Sequence, residues 1–403
     1  MVNFKHGSLF IFCLICLPLA QGSDACWPPS LKPIAIRKLP IYKPTTLVAE
    51  SAIAPCPQAN GPLHGKPVKQ FGDAPAPLKR MLFAFDGTGN DASSLTNVWR
   101  FAQGYRNGVV HYLPGPGRAI GVNQEVDETD VALAWSAGQR VAIQWQRLLE
   151  DLSDKKNHMT SIDVVGFSRG AALARHFVNK IVKHVKNGRF WFQHPTMGKV
   201  TACVDLRFMG LFDTVAQFHL LGITDQTYDL KIPKPWRHVS HAVALHEYRW
   251  AFPLTAAVGD QVSEQAFIGA HADIGGGYLT PSTSPGSTPS DLSEVTLRWM
   301  VIQAIKAGVE IEDPKGAQLL ETVSQNPVLH TESHQYWGAM SAKDRKVGNQ
   351  LQGQLAHMGD QMRANVEGLI RRPVPGATVA TDVAGWVNMS PYAAWLKAHA
   401  IMP

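Results

Sequence analysis

The chain has 403 residues, a net charge of +6 and a sequence pI of about 9.0. Hydrophobic residues make up 45% of it and charged residues only 17%, whereas about a quarter of the residues in soluble domains are charged. This composition excludes a disordered chain and a coiled coil, because both need more charge and less apolar content. The length fits one large α/β domain with extensions, or about two or three smaller domains.

The first 22 residues have the parts of a secretory signal peptide. Lys5 precedes an apolar run of 13 residues, 8–20, and Ala20 and Gly22 are small residues at the positions that signal peptidase requires. The run is shorter than the roughly 20 residues that span a bilayer. Residues 1–22 are therefore predicted to be a signal peptide and the protein to be exported, either periplasmic or secreted. An uncleaved membrane anchor is the alternative.

Export to an oxidising compartment bears on the cysteines. Of those that remain after residue 22, Cys26 and Cys56 are predicted to form a disulfide within the N-terminal region, which leaves Cys203 as an odd thiol. The sequence has no CxxC pair and no Cys/His spacing typical of zinc. No metal and no cofactor are therefore predicted.

Residues 23–79 form a proline-rich basic arm, which contains 11 of the chain's 27 prolines. Proline at this density opposes helix formation and favours an extended segment. The arm has seven Lys or Arg and three Asp or Glu, and residues 1–22 have one Lys, so residues 80–403 carry a net charge of only +1. A nucleic-acid-binding domain would carry its charge on the folded core, so no nucleic acid is predicted as a partner. The arm is instead predicted to attract anionic membrane surfaces.

Residues 80–310 show apolar runs that alternate with helical patterns, which predicts an α/β fold with a mostly parallel sheet and helices on both faces. Strands are predicted at 81–85, 161–166, 206–212 and 266–270, and helices at 131–152, 171–185, 238–248 and 292–307. The site of such a sheet lies beyond the carboxyl ends of its strands. Residues 311–403 are predicted to be a helical extension.

Residues 166–170, Gly-Phe-Ser-Arg-Gly, follow a predicted strand and open a predicted helix. A G-x-S-x-G sequence in this strand–turn–helix context is the nucleophile elbow of α/β hydrolases. Its glycines are needed because the turn is tight, and the turn lifts the Ser168 hydroxyl out at the helix N terminus. Ser168 is therefore the predicted nucleophile. An ordinary serine in a glycine-rich turn is the alternative.

A serine hydroxyl needs a histidine base that a carboxylate orients. Asp213 ends the next predicted strand and His271 follows a later one, in the chain order of α/β hydrolases. A strand-end capping role is the alternative for Asp213, and a structural role is the alternative for His271. The histidines of the predicted helix 238–248 are expected to be structural.

The tetrahedral intermediate of acyl transfer needs backbone N–H donors. The amide of Arg169, directly after the nucleophile, is predicted to be one donor. The glycine-rich loop after the first strand is predicted to supply the other, through Gly87 N–H. Asp86 and Asp273 lie in similar strand-end loops and are expected to bind loop amides, with a cation such as Ca²⁺ as the alternative.

Seven blocks of the sequence resemble, in their order, the α/β-hydrolase family of type VI secretion phospholipase effectors, first catalogued as a domain of unknown function. The blocks are FDGTGN (85–90), TNV (96–98), GFSRGAALAR (166–175), GLFDTVA (210–216), HEYRWAFPL (246–254), GAHADIGGGY (269–278) and LRWM (297–300). The resemblance covers roughly residues 80–305. It implies a serine hydrolase acting on phospholipid acyl esters, with Ser168 as nucleophile, Asp213 as acid and His271 as base. The signal peptide departs from the family pattern.

Together these features predict an exported serine esterase of phospholipase A type, whose substrate is a phospholipid or another lipid ester. A non-catalytic envelope-binding module on the same fold is the alternative, as is an esterase for short esters or polyesters. Three tryptophans are candidates for lining an acyl-chain pocket, with core packing as the more ordinary role: Trp99, Trp135 and Trp145. No protein partner is predicted.

Overall fold

The computed structural model describes residues 78–118, 120, 136–153, 159–218, 228–249, 251–278, 291–312, 325–331, 363 and 365–402. The predicted signal peptide, almost all of the arm, the Cys26–Cys56 pair and Trp135 lie outside these residues. The chain divides into two units, residues 1–46 and 47–403, and every described residue belongs to the second. No helix of the described part is long and apolar enough to cross a membrane.

An eight-stranded sheet forms the centre of the fold. Its strands are β1 Leu78–Phe85, β2 Val109–Leu113, β3 Met159–Phe167, β4 Val185–Lys186, β5 Arg189–His194, β6 Gly198–Phe212, β7 His238–Ala244 and β8 Val262–Phe267. The order β2-β1-β3-β6-β7-β8 is parallel throughout, and β4 and β5 form an antiparallel hairpin on the first half of β6. Every residue of β3 is buried, as expected for an inner parallel strand covered on both faces.

Helices cover both faces of this sheet. They are α1 Asn97–Gly104, α2 Ala137–Leu152, α3 Arg169–Val182, α4 His271–Gly275, α5 Asp291–Lys306 and α6 Met389–Ala398. The step from β1 to β2 crosses the sheet in the opposite direction to the steps from β2 to β3 and from β3 to β6. Because parallel crossovers are right-handed, α1 lies on one face and α2 and α3 lie on the other. Accordingly, α2 packs on α3 and α1 packs on α5, which confirms the predicted fold class.

Most predicted elements are present, with shifted ends: α2 begins at Ala137, and the strand predicted at 266–270 is β8, Val262–Phe267. The helix predicted at 238–248 is wrong, because this segment begins with the strand β7. All but the first residue of β7 is buried. A strand buried on both faces has no alternation of apolar and polar residues, so its apolar run resembles that of a buried helix.

The C-terminal extension is predicted to be helical. In the structure it contains a three-stranded antiparallel sheet before the helix α6. Its strands are β9 Val328–His330, β10 Ile370–Arg371 and β11 Val383–Val387, in the order β10-β11-β9. Apolar side chains of this extension, among them Val366, Val387 and Leu396, belong to the same buried cluster as those of β7, β8 and α5. The extension therefore shares its core with the eight-stranded sheet and α5.

Cys203 lies in β6 and is disulfide-bonded. The prediction that it is the odd thiol is therefore wrong. Its partner lies outside the described residues. Cysteine spacing alone does not determine which cysteines pair.

Candidate active site

The nucleophile elbow lies between β3 and α3. Ser168 has φ 58° and ψ −129°, a conformation that costs a non-glycine residue about 1–3 kcal/mol. The surroundings hold it there, because Ser168 N–H donates to Phe212 O at 3.0 Å and Val215 N–H donates to Ser168 O at 3.3 Å. Within the described residues its side chain makes no capping hydrogen bond to α3. The helix therefore leaves the buried hydroxyl of Ser168 available for chemistry.

The two glycines of the elbow are required by close backbone contacts. A Cβ atom on Gly166 would lie 2.7 Å from the Cα of Ala171, and one on Gly170 would lie 2.2 Å from the carbonyl oxygen of Asp86. Backbone atoms cannot move aside as a flexible side chain can. The glycines thus let α3 begin directly against the end of β1, and this places the loop 86–90 beside the nucleophile.

Asp213 follows β6, the neighbour of β3, and has a left-handed φ of 41°. Its amide donates to Ala242 O at 2.7 Å, and its Oδ1 accepts Ala244 N–H at 2.9 Å. Its Oδ2 lies 2.5 Å from Nδ1 of His271. The backbone of β7 therefore fixes a fully buried carboxylate so that it faces the imidazole, and the predicted acid and base lie in direct contact.

His271 is the first residue of α4, and its ring packs against two phenylalanines. The ring centroids of Phe167 and Phe252 lie 4.6 Å and 5.0 Å from that of His271. Burial lowers the pKa of His271 below its ordinary value of 6.5, although the hydrogen bond and the charge of Asp213 act in the opposite direction. A neutral ring that donates from Nδ1 to Asp213 keeps Nε2 as a proton acceptor.

The neighbours of Ser168 connect it to both of these residues. Phe167 precedes Ser168 and packs on His271, and Val215, which follows Asp213 by two residues, donates to Ser168 O. All three predicted triad residues therefore lie in one buried cluster at the carboxyl ends of β3, β6 and β8. This is the edge at which open parallel sheets bind their ligands.

The structure differs from the prediction at Gly87. Gly87 N–H donates to Oδ1 of Asp86 at 2.7 Å, so the amide assigned to the oxyanion is already in use. The hydroxyls of Tyr112 and Thr96 donate to the other oxygen of Asp86, each at 2.7 Å. Burial raises the pKa of Asp86 to about 6, against these hydrogen bonds. The carboxylate of Asp86 thus fixes the conformation of its loop by accepting these three hydrogen bonds.

Two further groups bear on the predicted oxyanion site. The Oγ1 atom of Thr88, in the same loop, is buried and has no hydrogen-bond partner among the described residues. The side chain of Arg169 donates from Nε to Gln217 O, which leads it away from the helix start. The backbone amide of Arg169 remains the predicted first oxyanion donor.

Asp273 lies in α4, two residues after His271, and binds different partners from Asp86. Its Oδ2 accepts the amides of Ala270 and His330 at 3.0 and 3.1 Å, and its Oδ1 lies 2.6 Å from Nδ1 of His330. Each of the two aspartates thus accepts loop amides, as the sequence led us to expect. Over the described ranges, no three His, Cys, Asp or Glu side chains are grouped to hold a metal ion.

Of the two described tryptophans predicted as candidates for an acyl-chain pocket, one packs in the core and one stays a candidate. Trp145 is buried against Phe190 and Phe192, with Lys180 Nζ 4.4 Å from its ring centroid, so it packs the core. Trp99 packs edge-on against Tyr112, with ring centroids 4.8 Å apart. Because Tyr112 binds Asp86, Trp99 lies beside the loop 86–90 and stays a candidate for the acyl-chain pocket.

One pair that supports Asp213 was missed from the sequence. His241, in β7, accepts the amide of Thr214 at Nε2 over 3.1 Å, and its Nδ1 lies 2.9 Å from Oε2 of Glu264. Glu264 also accepts the amide of Ala257 at 2.7 Å. The pair therefore fixes Thr214, the residue that follows the predicted acid. Its only signal in the sequence is a histidine on a strand that was predicted as a helix.

The sequence model of the catalytic domain of Tle1-like phospholipase effectors of the type VI secretion system matches residues 79–188 and 191–303, more than half of the chain. No curated protein matches.

The solved structures to which the chain is similar include two proteins. One, an uncharacterized protein from Pseudomonas aeruginosa, is 21% identical with a TM-score of 0.43, over 60% of this chain and 47% of that one. The other, the Tle1 effector bound to the VgrG spike from the type VI secretion system, is 16% identical with a TM-score of 0.43, over 78% of this chain and 91% of that one. The chain spans about half the length of the first of these structures. The assignment follows from the family match: the chain belongs to the family of Tle1-like phospholipase effectors of type VI secretion systems.

Proposed function

We propose that this chain is an exported serine hydrolase that cleaves acyl esters of phospholipids, a phospholipase A, through a triad of Ser168, His271 and Asp213. The observation that carries the proposal is the 2.5 Å contact between His271 Nδ1 and Asp213 Oδ2, in one buried cluster with the strained elbow at Ser168. Membership in a family of phospholipase effectors supports a lipid substrate.

The proposed reaction has two steps. Ser168 Oγ attacks the acyl carbonyl carbon while its proton passes to Nε2 of His271, and the carboxylate of Asp213 stabilises the resulting imidazolium. The imidazolium then protonates the alkoxide of the leaving lysophospholipid, which leaves the acyl group on Ser168. Water, deprotonated by the same histidine, hydrolyses this acyl-enzyme and releases the fatty acid.

The oxyanion of each tetrahedral intermediate needs preorganised donors. Arg169 N–H is the first. Because Gly87 N–H donates to Asp86, it serves only if that hydrogen bond opens, and Thr88 is the better candidate in the loop. A buried hydroxyl without a partner has a donor to offer to a bound substrate, and its desolvation is then compensated.

The test is Ser168→Ala in the mature protein, assayed on phosphatidylglycerol vesicles and on p-nitrophenyl esters, with products identified by mass spectrometry. We expect the wild type to release free fatty acid and lysophospholipid and to react with a fluorophosphonate probe, and Ser168→Ala to do neither. Ser153→Ala is the matched control, since Ser153 is an exposed serine whose hydroxyl donates to Glu150 O at the end of α2. A Ser168→Ala variant as active as the wild type would sink the serine mechanism.

Export and membrane attraction belong to the same proposal. The signal-like residues 1–22 and the disulfide-bonded Cys203 support an oxidising compartment, periplasmic or extracellular. The basic arm is proposed to hold the enzyme at anionic membranes. Replacing six basic residues of the arm with Gln is expected to weaken binding to phosphatidylglycerol vesicles and to spare p-nitrophenyl ester turnover: Lys32, Arg37, Lys38, Lys43, Lys66 and Lys69.

A further inference from the structure

Four consecutive backbone amides, those of residues 268–271, each donate to a side chain. The acceptors are, in chain order, Tyr392 Oη at 3.1 Å, His246 Nδ1 at 3.2 Å, Asp273 Oδ2 at 3.0 Å and Glu247 Oε2 at 3.3 Å. The strand β8 ends at Phe267, so the sheet no longer supplies acceptors to this segment. Buried amides need partners, and here side chains provide them up to His271 itself.

Two of these four contacts depend on the C-terminal extension. Tyr392 belongs to α6 and is 1% exposed. Asp273 belongs to α4, but its carboxylate is held by His330 of β9 through both the amide and Nδ1 of that residue. Tyr278 stacks on the ring of His330, with centroids 4.0 Å apart. Two elements of the extension thus contact residues 268–273, which include His271: α6 through Tyr392 and β9 through His330.

We propose that the C-terminal extension, through its described residues 325–331 and 365–402, positions the catalytic base, and that Tyr392 and His330 are positioning residues for His271. The family match ends at residue 303, so these two residues lie beyond the matched catalytic domain. The proposal rests on the role of His271 in the proposed function. Displacing a catalytic group by about 1 Å costs on the order of 100-fold in rate, so a loosened segment 268–271 lowers turnover without loss of any triad residue.

Three variants test the proposal. Tyr392→Phe removes one hydroxyl. His330→Phe removes the hydrogen bond from Nδ1 to Asp273 and keeps an aromatic ring on Tyr278, whereas His330→Asn restores a donor near the position of Nδ1. Tyr105→Phe is the matched control, because the hydroxyl of Tyr105 is equally buried and donates to Asp163 at 2.8 Å, away from this segment.

The first readout is kcat on a p-nitrophenyl ester, expressed per active site titrated with a fluorophosphonate. We expect Tyr392→Phe and His330→Phe to lower it by roughly tenfold or more with KM unchanged, and His330→Asn and Tyr105→Phe to stay near the wild type. Variants that lose titratable sites but keep wild-type kcat per site would overturn the proposal, since the extension would then contribute only to folding.

The second readout does not depend on activity. Amide hydrogen exchange of peptides covering residues 266–275 is expected to accelerate roughly tenfold in Tyr392→Phe and His330→Phe, and to be unchanged in the two other variants. Unchanged exchange in all four overturns the proposal. If exchange accelerates in these variants but the wild type hydrolyses no ester, the positioning contacts are supported and the proposed function is overturned. Failure of the positioning proposal and failure of the proposed function are therefore distinguishable.

Discussion

Replacing Asp213 with asparagine keeps the shape of the side chain and reverses one hydrogen bond. Oδ1 of Asp213 accepts Ala244 N–H at 2.9 Å, and Oδ2 faces Nδ1 of His271 at 2.5 Å. In Asp213→Asn the amide oxygen must stay with Ala244, because an NH2 group there would face another donor. The NH2 group then faces His271, where it can only donate. Nδ1 must accept, and the proton moves to Nε2.

The size of the effect follows from this tautomer. A ring protonated at Nε2 cannot take the proton of Ser168, so kcat is expected to fall by about 10⁴-fold, or about 5.5 kcal/mol of transition-state stabilisation. KM is expected to stay near its wild-type value, because the lost interaction acts in the transition state. Stability is expected to change by less than about 2 kcal/mol, since one hydrogen bond replaces another.

Steady-state hydrolysis of a p-nitrophenyl ester, with urea unfolding of the same samples, checks this prediction. Asp151→Asn is the control, because Oδ2 of Asp151 lies 2.5 Å from Nε2 of His111 in a comparable pair. Asp151 also accepts from Lys79 at the start of β1, which places that pair at the opposite edge of the sheet. A folded Asp213→Asn protein with kcat within tenfold of the wild type would refute the reasoning about the tautomer.

Four further outcomes are expected. Because burial lowers the pKa of His271 below 6.5 and the base must be neutral, the acid limb of kcat/KM against pH should have its midpoint below pH 6.5; a midpoint above it contradicts the assignment. Thr88→Val should lower kcat by up to roughly 10²-fold, with Thr88→Ser close to the wild type; equal rates in both would remove the Thr88 hydroxyl from the oxyanion site. Gly170→Ala should destabilise the protein by about 3 kcal/mol or more in urea unfolding, because its methyl group would lie 2.2 Å from a carbonyl oxygen. The pKa of Asp86 is about 6 in the fold against an ordinary 3.8, so its stabilising contribution is present below pH 3.8 and is lost as the pH rises through 6. The unfolding free energy of Asp86→Asn relative to the wild type should therefore rise by about 2 kcal/mol from pH 4 to pH 7, and a flat difference would show that Asp86 does not titrate in this way.

The elbow could be predicted because all its determinants are contiguous. The apolar strand, the pentapeptide around Ser168 and the helix that follows lie within about 25 residues, and the two glycines are required by contacts with the turn and with the end of the first strand. Asp213 and His271 could be placed because each directly follows an apolar run. Strand ends meet at one edge of a parallel sheet, so chain order was enough to predict that these residues lie close to Ser168.

The features that could not be predicted from the sequence depend on contacts between distant segments. They are the occupied amide of Gly87 and the contacts that the C-terminal extension makes near His271. The amide of Gly87 is occupied because Tyr112 and Thr96, from β2 and the start of α1, hold the carboxylate of Asp86 beside it. No local sequence pattern indicates the orientation of the Asp86 side chain. His330 contacts Asp273 across 57 residues of sequence and Tyr392 contacts Ile268 across 124, and neither His330 nor Tyr392 lies in a recognisable motif.

Backbone conformation supports the prediction for Ser168 independently of the sequence motif. Six non-glycine residues of the described part have positive φ: Leu95, Asn107, Ser168, Asn187, Asp213 and Ala400. Asparagine tolerates this region, and Leu95 and Ala400 follow the ends of short helices, where left-handed residues are common. Of the two that remain, aspartate also tolerates positive φ, but serine at φ 58° and ψ −129° does not. Each is held by a neighbouring strand, since Ser168 N–H donates to the last residue of β6 and Asp213 N–H donates to β7. Strain of this kind persists where the surroundings fix it and gathers at functional sites, so the geometry of the main chain supports the prediction for Ser168 on physical grounds that are independent of the pentapeptide.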